Sequence, residues 1–397
     1  MTRSLLWLLI LFPQEDAGAR LKSGGWRAVQ EYIDQGESSR AALLKAAAGT
    51  DPDAAFLASA ALGELDCRRG GDFEPVPRTR ASRGPSTAVV SALFKAAGLE
   101  ASFEGLPAKD LSIPEGLTPA EALDAAAREL NVEFVQNKDG VWKVGDSFCK
   151  GPRFASGRIR ARIEELTRAV TWRPGLPPDC AFWLQGKLDG LGRFKEAVVY
   201  VDLRVIEAVD EHGHDLRSKR EGDQASAESA GKHRDRTADF NVPLQVPDPG
   251  CARITRLRLA FDFAFRRKEE SLSFDKLEGA RNVKQKVGDV EAILLQSGMD
   301  DGTFRAKVKL RAPGIDARVP GDDENLFGNS LVLHLFDGAG KAWDSSSGSW
   351  STDHHEQIID QSFNPGTAGP PERLTFLLIT EVEVRTVAVE FRDIPLR

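Results

Sequence analysis

The sequence predicts a multidomain α+β fold: a short α-helical cap, a small α/β unit, then a mainly-β region of tandem sandwiches. Three observations carry that prediction. Apolar residues first recur at three- and four-residue spacing, as in Trp26, Val29, Tyr32 and Ile33, whereas from Gly151 onward β-branched and aromatic residues alternate with polar ones. Between the two regimes, Thr118-Pro119-Ala120-Glu121 forms a capping box with proline at the first helical position, which specifies a helix start. Within the β region two stretches recur: VIEAVDEHGHDL aligns with VLHLFDGAGKAW, and RLRLAFDFAFRRKEESLSFDKL aligns with RLTFLLITEVEVRTVAVEFRDIPL.

At 397 residues the chain is long enough for several separate cores. Hydrophobic residues at 41% and charged residues at 28% are values of a soluble globular protein. A formal charge of -7 gives no overall attraction to nucleic acid or to an anionic membrane surface, so no nucleic-acid partner is expected. The opening MTRSLLWLLILFPQEDAGAR reads as a secretory signal over residues 1–19, with Arg3 as the positive region, Leu5 to Phe12 as the apolar run and Ala17-Gly18-Ala19 as the cleavage site. That run is far shorter than the roughly 20 residues of a spanning helix, and no later stretch is long enough. The mature chain is therefore expected to carry no transmembrane segment. Export makes Cys67, Cys149, Cys180 and Cys251 disulfide candidates. Cys67 with Cys149 would bracket the α/β unit and Cys180 with Cys251 would close a β-rich segment; buried free thiols are the alternative.

The helical cap spans residues 20–68, where AALLKAAAG and DAAFLASAALGEL carry Ala-rich faces that let helices approach closely. The piece GESSRAALLKAAAGTDPDAAFLASAALGEL resembles a HEAT-type helical repeat, with TDPD as its turn. The α/β unit spans residues 69–150. CRRGGDFEPVPRTRASRGP reads as a linker with one short strand around Phe73 to Val76. Thr87 to Ala97 reads as an amphipathic helix closed by Gly98, LEASFE and Leu111 to Ile113 as strands, and the capped helix as ending at Asn131. VEFVQNKDGVWKV is then a hairpin turning at Asn137 to Gly140. The residues VSALFKAAGLEASFEG, LTPAEALDAAARELNVEFV and DGVWKV, in the order helix, strand, strand, helix, strand, strand, resemble the STN module (secretin and TonB N-terminus). That resemblance implies a docking or signalling piece of the bacterial envelope.

The β region divides into 151–280 and 281–397, each near the ~120 residues that fit an immunoglobulin-like sandwich; one large sandwich is the alternative. Arg217 to Asp239 lacks large apolar residues and mixes charge signs, so it reads as a long solvated loop, residues 217–239. In each copy a strand ends in Asp-x-x-Gly, Asp210 to Gly213 and Asp337 to Gly340, as a turn in which Asp bonds its own backbone. Asp300-Asp301-Gly302 reads as a hairpin turn.

Chemistry-bearing residues are sparse. His212 and His214 alternate on EHGHD and can reach one metal with Glu211 or Asp215, against the turn reading of the same residues. PGDDENLFGN places Asp322, Asp323 and Glu324 together as candidate calcium oxygens. Trp343 and Trp350 flank DSSSGS and read either as core aromatics or as an exposed pair for stacking on sugar rings or a partner. No G-x-S-x-G, Walker loop, complete dinucleotide fingerprint or H-E-x-x-H is found, so no catalytic residue and no cofactor is assigned. The expectation is an exported, non-enzymatic binding or scaffold protein of the cell envelope, its partner an envelope protein or cell-surface polymer. The alternative is a β-sandwich carbohydrate-binding protein or hydrolase, calcium-assisted.

Overall fold

The computed structural model describes residues 16–69, 78–136, 141–145, 147–171, 179–193, 198–218, 224–229, 235–246, 251–288, 290–311, 333–353 and 356–396. Helix α1 (Ala17–Gln35) is N-capped by Asp16, whose carboxylate accepts the Gly18 N–H at 3.1 Å, and it kinks at Gly25, φ 55°. α2 (Arg40–Ala47) and α3 (Pro52–Arg69) pack on it around Leu21, Val29, Tyr32, Leu43 and Leu57. Asp51 supplies the N-terminal cap of α3, accepting from the Asp53 and Ala54 N–H groups at 3.0 and 3.1 Å. Ala17-Gly18-Ala19, expected as a cleavage site, forms the first turn of α1, with Ala17 buried in this helical core.

The α/β unit follows as β1 (Ser82–Pro85), α4 (Ser86–Ala96), β2 (Ala101–Ser102), β3 (Asp110–Ile113), α5 (Pro119–Leu130), β4 (Glu133–Gln136) and β5 (Trp142–Gly145). β1 pairs with β3, and the second sheet runs β2-β5-β4. The α5 start is held as its sequence dictates: the Glu121 N–H donates to Thr118 Oγ1 at 3.4 Å, and the Thr118 N–H donates to Glu121 Oε2 at 2.7 Å. Asn131 closes the helix in the left-handed conformation, φ 55°. Val90, Phe94, Leu123, Phe134 and Trp142 form the core between the two helices and the sheets. The strand expected around 73–76 and the turn at 137–140 lie outside the described residues.

The β region repeats one strand order. Its first half comprises β6 (Arg153–Ser156), β7 (Ile159–Thr171), β8 (Asp179–Arg193), β9 (Val198–Asp210), β10 (Ser226–Ser229), β11 (Asp235–Val246) and β12 (Arg253–Asp275). The second comprises β13 (Arg281–Val287), β14 (Val290–Asp300), β15 (Thr303–Arg311), β16 (Leu333–Asp337), β17 (Asp344–Asp353), β18 (Glu356–Asn364) and β19 (Pro371–Pro395). One five-stranded sheet runs β10-β11-β8-β7-β6 and the other β17-β18-β15-β14-β13, the same order with every strand replaced by its equivalent in the second half. The remaining strands form one shared sheet, β16-β19-β12-β9. Its central seam is self-complementary: Leu257 faces Phe391, and the equivalent pair is Leu374 facing Phe274.

The shared sheet changes the expected boundary at 280/281. β12 holds 23 residues, about 75 Å of extended chain, which is longer than one sandwich is wide. Its first half (Leu257, Leu259, Phe261) and the last part of β19 (Val389, Phe391) face the first five-stranded sheet, across one core. Leu272 and Phe274, with Leu374 and Phe376, belong instead to the core of the second. The two halves are thus stitched together by two strands that each serve both cores. Their order also departs from the constant-type immunoglobulin arrangement, in which the first, second, fifth and fourth strands share a sheet. Here the first, second, third, sixth and fifth share one, and the fourth and seventh build the common sheet.

One loop expectation needs correction. The 217–239 segment contains edge strand β10 and the start of β11, with Ser226 paired to Asn241 and Ser229 to Ala238. An edge strand needs only one backbone partner, and Ala225 and Ala227 suffice to touch the core, so large apolar residues are dispensable there. The Ser-rich stretch after Trp343 is likewise edge strand β17, paired with β18. Around Asp301 and Gly302 the hairpin turn forms as expected, with φ 45° and 80°, both positive as a two-residue primed turn requires.

Candidate functional site

The α/β unit is fastened to the first five-stranded sheet by buried charges. Asp124 of α5 and Glu133 of β4 come from the α/β unit; Arg153 of β6 and Arg160 of β7 come from the sheet. Arg153 donates through Nε to Asp124 Oδ1 at 2.6 Å and through Nη1 to Glu133 Oε2 at 2.8 Å, and Arg160 donates to Glu133 Oε1. Beside them Arg162 pairs with Asp189 of β8 and, through Nε, with Glu164 at 2.8 Å. Thr237 of β11 adds a hydrogen bond to Gln136 Oε1 at 3.1 Å. Arg160 is only 2% exposed, and its guanidinium lies 5.9 Å from the Trp142 ring centroid. Burial alone would raise the Glu133 carboxyl, but the Arg153 hydrogen bonds and the Arg160 charge overcome it and hold the group below its usual range. Removing any one member would leave its partner charged and desolvated, which is why such a network holds its parts in one relative position.

The helical cap is fastened to the outer side of the shared sheet in a similar way. Arg258 of β12 donates to Asp53 of α3 at 2.7 Å, to Glu207 of β9 at 3.0 Å and to Glu390 of β19 at 2.8 Å, and stacks 4.6 Å from the Phe56 ring centroid. Gly63 of α3 meets β19 so closely that a Cβ there would stand 1.9 Å from the Thr386 carbonyl oxygen. Arg78, at 3.1 Å from Asp34 of α1, ties this cap to the α/β unit.

A groove of ligand size lies outside the seam. It encloses about 460 Å³ along α4, its floor formed by Val89, Leu93 and Ala97, its wall by Ala92 and Ala96, and its rim by Arg78, Thr79 and Arg80. That volume falls within the range of small-ligand clefts. α4 presents small residues at i and i+4 there, so backbone and apolar surface are accessible together. Among the described residues Arg80 makes no ion pair, so the rim offers a cation over an apolar floor.

The residues singled out by sequence are dispersed. His214 Nδ1 is 2.8 Å from Asp210 Oδ2, and Asp210 Oδ1 accepts the His212 and His214 N–H groups, both at 2.8 Å. Burial would raise the Asp210 carboxyl; the His214 N–H, the His214 ring and the His212 N–H together bring it below its usual range. Asp337 makes the equivalent turn, accepting from Ala339 N–H at 2.9 Å and Lys341 N–H at 2.8 Å, so the histidine segment serves as a strand-ending turn. Among the described residues no group of three or more His, Cys, Asp or Glu is placed to hold a metal ion. Asp322, Asp323 and Glu324 lie outside the described residues, as does the side chain of Trp350. Trp343 is buried, 6% exposed, edge-on to Phe304, and its Nε1–H donates to Gly369 O at 3.0 Å. It is therefore a core aromatic, because its strand-ending turn points it inward, and it presents no stacking face to solvent. Cys149 and Cys251 are free thiols; Cys149 Sγ donates to Ile163 O at 3.5 Å and Cys251 Sγ to Arg253 O at 3.4 Å. Neither proposed pairing is formed, and the side chains of Cys67 and Cys180 lie outside the described residues.

Sequence reasoning missed the buried seam. Its signal was present: in IRARIEEL, Arg160 and Arg162 stand two apart in a strand, so both occupy one face, and that face had to be covered or solvated.

No known protein family matches the chain, and no curated protein matches it. A conserved domain protein from Bacillus anthracis is a weak structural neighbour, 10% identical with a TM-score of 0.19, covering 63% of this chain and 91% of that one. No helix among the described residues is long and apolar enough to cross a membrane.

Proposed function

We propose that this chain is an exported, non-enzymatic binding or scaffold protein of the bacterial cell envelope, in which the α/β unit offers the partner site and the β region is its mount. One observation carries the reading: the seam of Asp124, Glu133, Arg153 and Arg160 fixes the unit on a sheet, while the α4 groove lies outside that seam. A rigidly held, open, apolar groove with a cationic rim suits a short peptide or helix bearing an acidic group. The resemblance of α4 through β5 to the STN module agrees with a docking role in the envelope, and the N-terminal signal-like segment agrees with export.

A photo-crosslinking residue at Ala96 tests it in intact cells of the producing bacterium. A discrete adduct is expected, lost on Ala92→Glu and absent from a crosslinker at exposed Ser59. Adducts that are identical at both positions, or none at all, would overturn the groove as the partner site. Fractionation of the same cells reads the compartment, and recovery in the cytoplasm alone would overturn export.

A further inference from the structure

We infer that the solvent side of the second five-stranded sheet is a docking surface for an extended acidic polypeptide. The cations come from two strands: Arg281, Lys284 and Lys286 of β13, and Arg305, Lys307, Lys309 and Arg311 of β15. On β15 the alternation is strict. Phe304, Ala306, Val308 and Leu310 are fully buried in the core, which turns every intervening residue to the other face, and all of those are Arg or Lys.

Lysines on edge strands commonly guard against unwanted pairing, and that accounts for β13. It does not account for β15, which is the central strand of its sheet, flanked by β14 and β18. Local acids offset the face only in part: Asp360 of β18 stands opposite Lys307 in register, and Glu291 of β14 opposite Lys286. Glu356 takes both Lys309 and Arg311, Asp300 stands 3.5 Å from Arg305, and Glu291 stands 3.8 Å from Lys284. Among the described residues Arg281, Lys286 and Lys307 have no ion-pair partner, on a chain whose formal charge is -7. Alternate residues along a strand are about 6.7 Å apart, which is also the spacing of alternate carboxylates on an extended acidic peptide.

The molecule contains a worked precedent. β6, β7 and β8 are the equivalents of β13, β14 and β15, and their outward arginines, Arg153 and Arg160, receive the carboxylates Asp124 and Glu133 of the α/β unit. In the second half Lys284 stands in the place of Arg153 and Lys286 in that of Ala155, while Glu291 stands in that of Arg160, so the edge strand keeps its outward cations without a covering unit among the described residues. This surface is separate from the α4 groove and stands whether or not that groove is used.

The test is fluorescence anisotropy of a labelled oligoglutamate titrated with the full chain, at low salt and at about 0.15 M ionic strength. Saturable binding is expected, weakened by salt and weakened about tenfold or more by Lys286→Glu with Lys307→Glu. Arg80→Glu, in the α4 groove, is expected to leave it unchanged. Thermal unfolding checks that the double variant folds; should it not, Lys286→Gln with Lys307→Gln must still weaken binding several-fold. Binding that is indifferent to both double variants would overturn the inference. So would an absence of oligoglutamate binding beside saturable heparin binding, which would assign the face to a sulfated polymer.

Discussion

The two halves of the β region share a strand order but not an environment. In the first, the five-stranded sheet lies against the α/β unit and the shared sheet lies against α3; in the second, the described residues place no such unit over the equivalent five-stranded face. The side chains record the difference. Where the face is covered, arginines are buried and each meets a carboxylate, as Arg160 and Arg162 do. Where it is open, the cations are long, exposed and partly unpaired. A duplicated scaffold has thus been used once as an internal mount and once as an external surface, and the change lies in the residues of one face rather than in the fold.

Removing the central carboxylate should break this contrast most strongly. Glu133→Ala leaves Arg160 buried without a counter-charge and Arg153 with Asp124 alone, a loss of about 3–5 kcal/mol, read as a fall in the urea midpoint. Because the Glu133 carboxyl is held below its ordinary value, its contribution is complete above about pH 4.5 and is lost as pH falls through the lower folded value. Hydrogen exchange in β4 and β6 should therefore quicken below that pH, before β15; equal protection throughout the acid range would contradict the seam.

Gly63→Ala comes next. Its added methyl meets a backbone carbonyl that cannot rotate away, so α3 must shift from β19 at about 1–3 kcal/mol, checked by thermal unfolding and by exchange in α3. Asp210→Ala removes the acceptor of two turn amides and is expected to cost about 1–2 kcal/mol in the same assay. Asp337→Ala should act in the same direction on the second half, and a null effect in one copy alone would show that the turns are not equivalent. The smallest effect is expected from Glu356→Gln on the open face, where water solvates Lys309 and Arg311 and the unfolding midpoint should barely move.

Much of the local structure was legible. Thr118 and Glu121 predicted the α5 start because a capping box is written in four consecutive residues. Asp301-Gly302 predicted its turn because so few residues tolerate two positive φ values in succession. The duplicated Asp-x-x-Gly signature was legible for the same reason, and Asp210 and Asp337 hold their turns with the same pair of hydrogen bonds. Other features were not legible because their causes are distant. Trp343 is buried against Phe304, which lies on β15 far earlier in the chain, and β10 forms because β11 supplies a backbone edge, whatever its side chains.

By itself, then, the sequence determined the local periodicities, the caps and turns, and the order of helical, mixed and β regions, since each depends on neighbours within a few residues. Only the tertiary structure decided that β12 and β19 join two cores, that Arg153 and Arg160 meet Asp124 and Glu133, and that the α4 groove stays outside that seam. Such partners lie far apart in the chain, and the energy of bringing a buried charge to its counter-charge is a property of the fold.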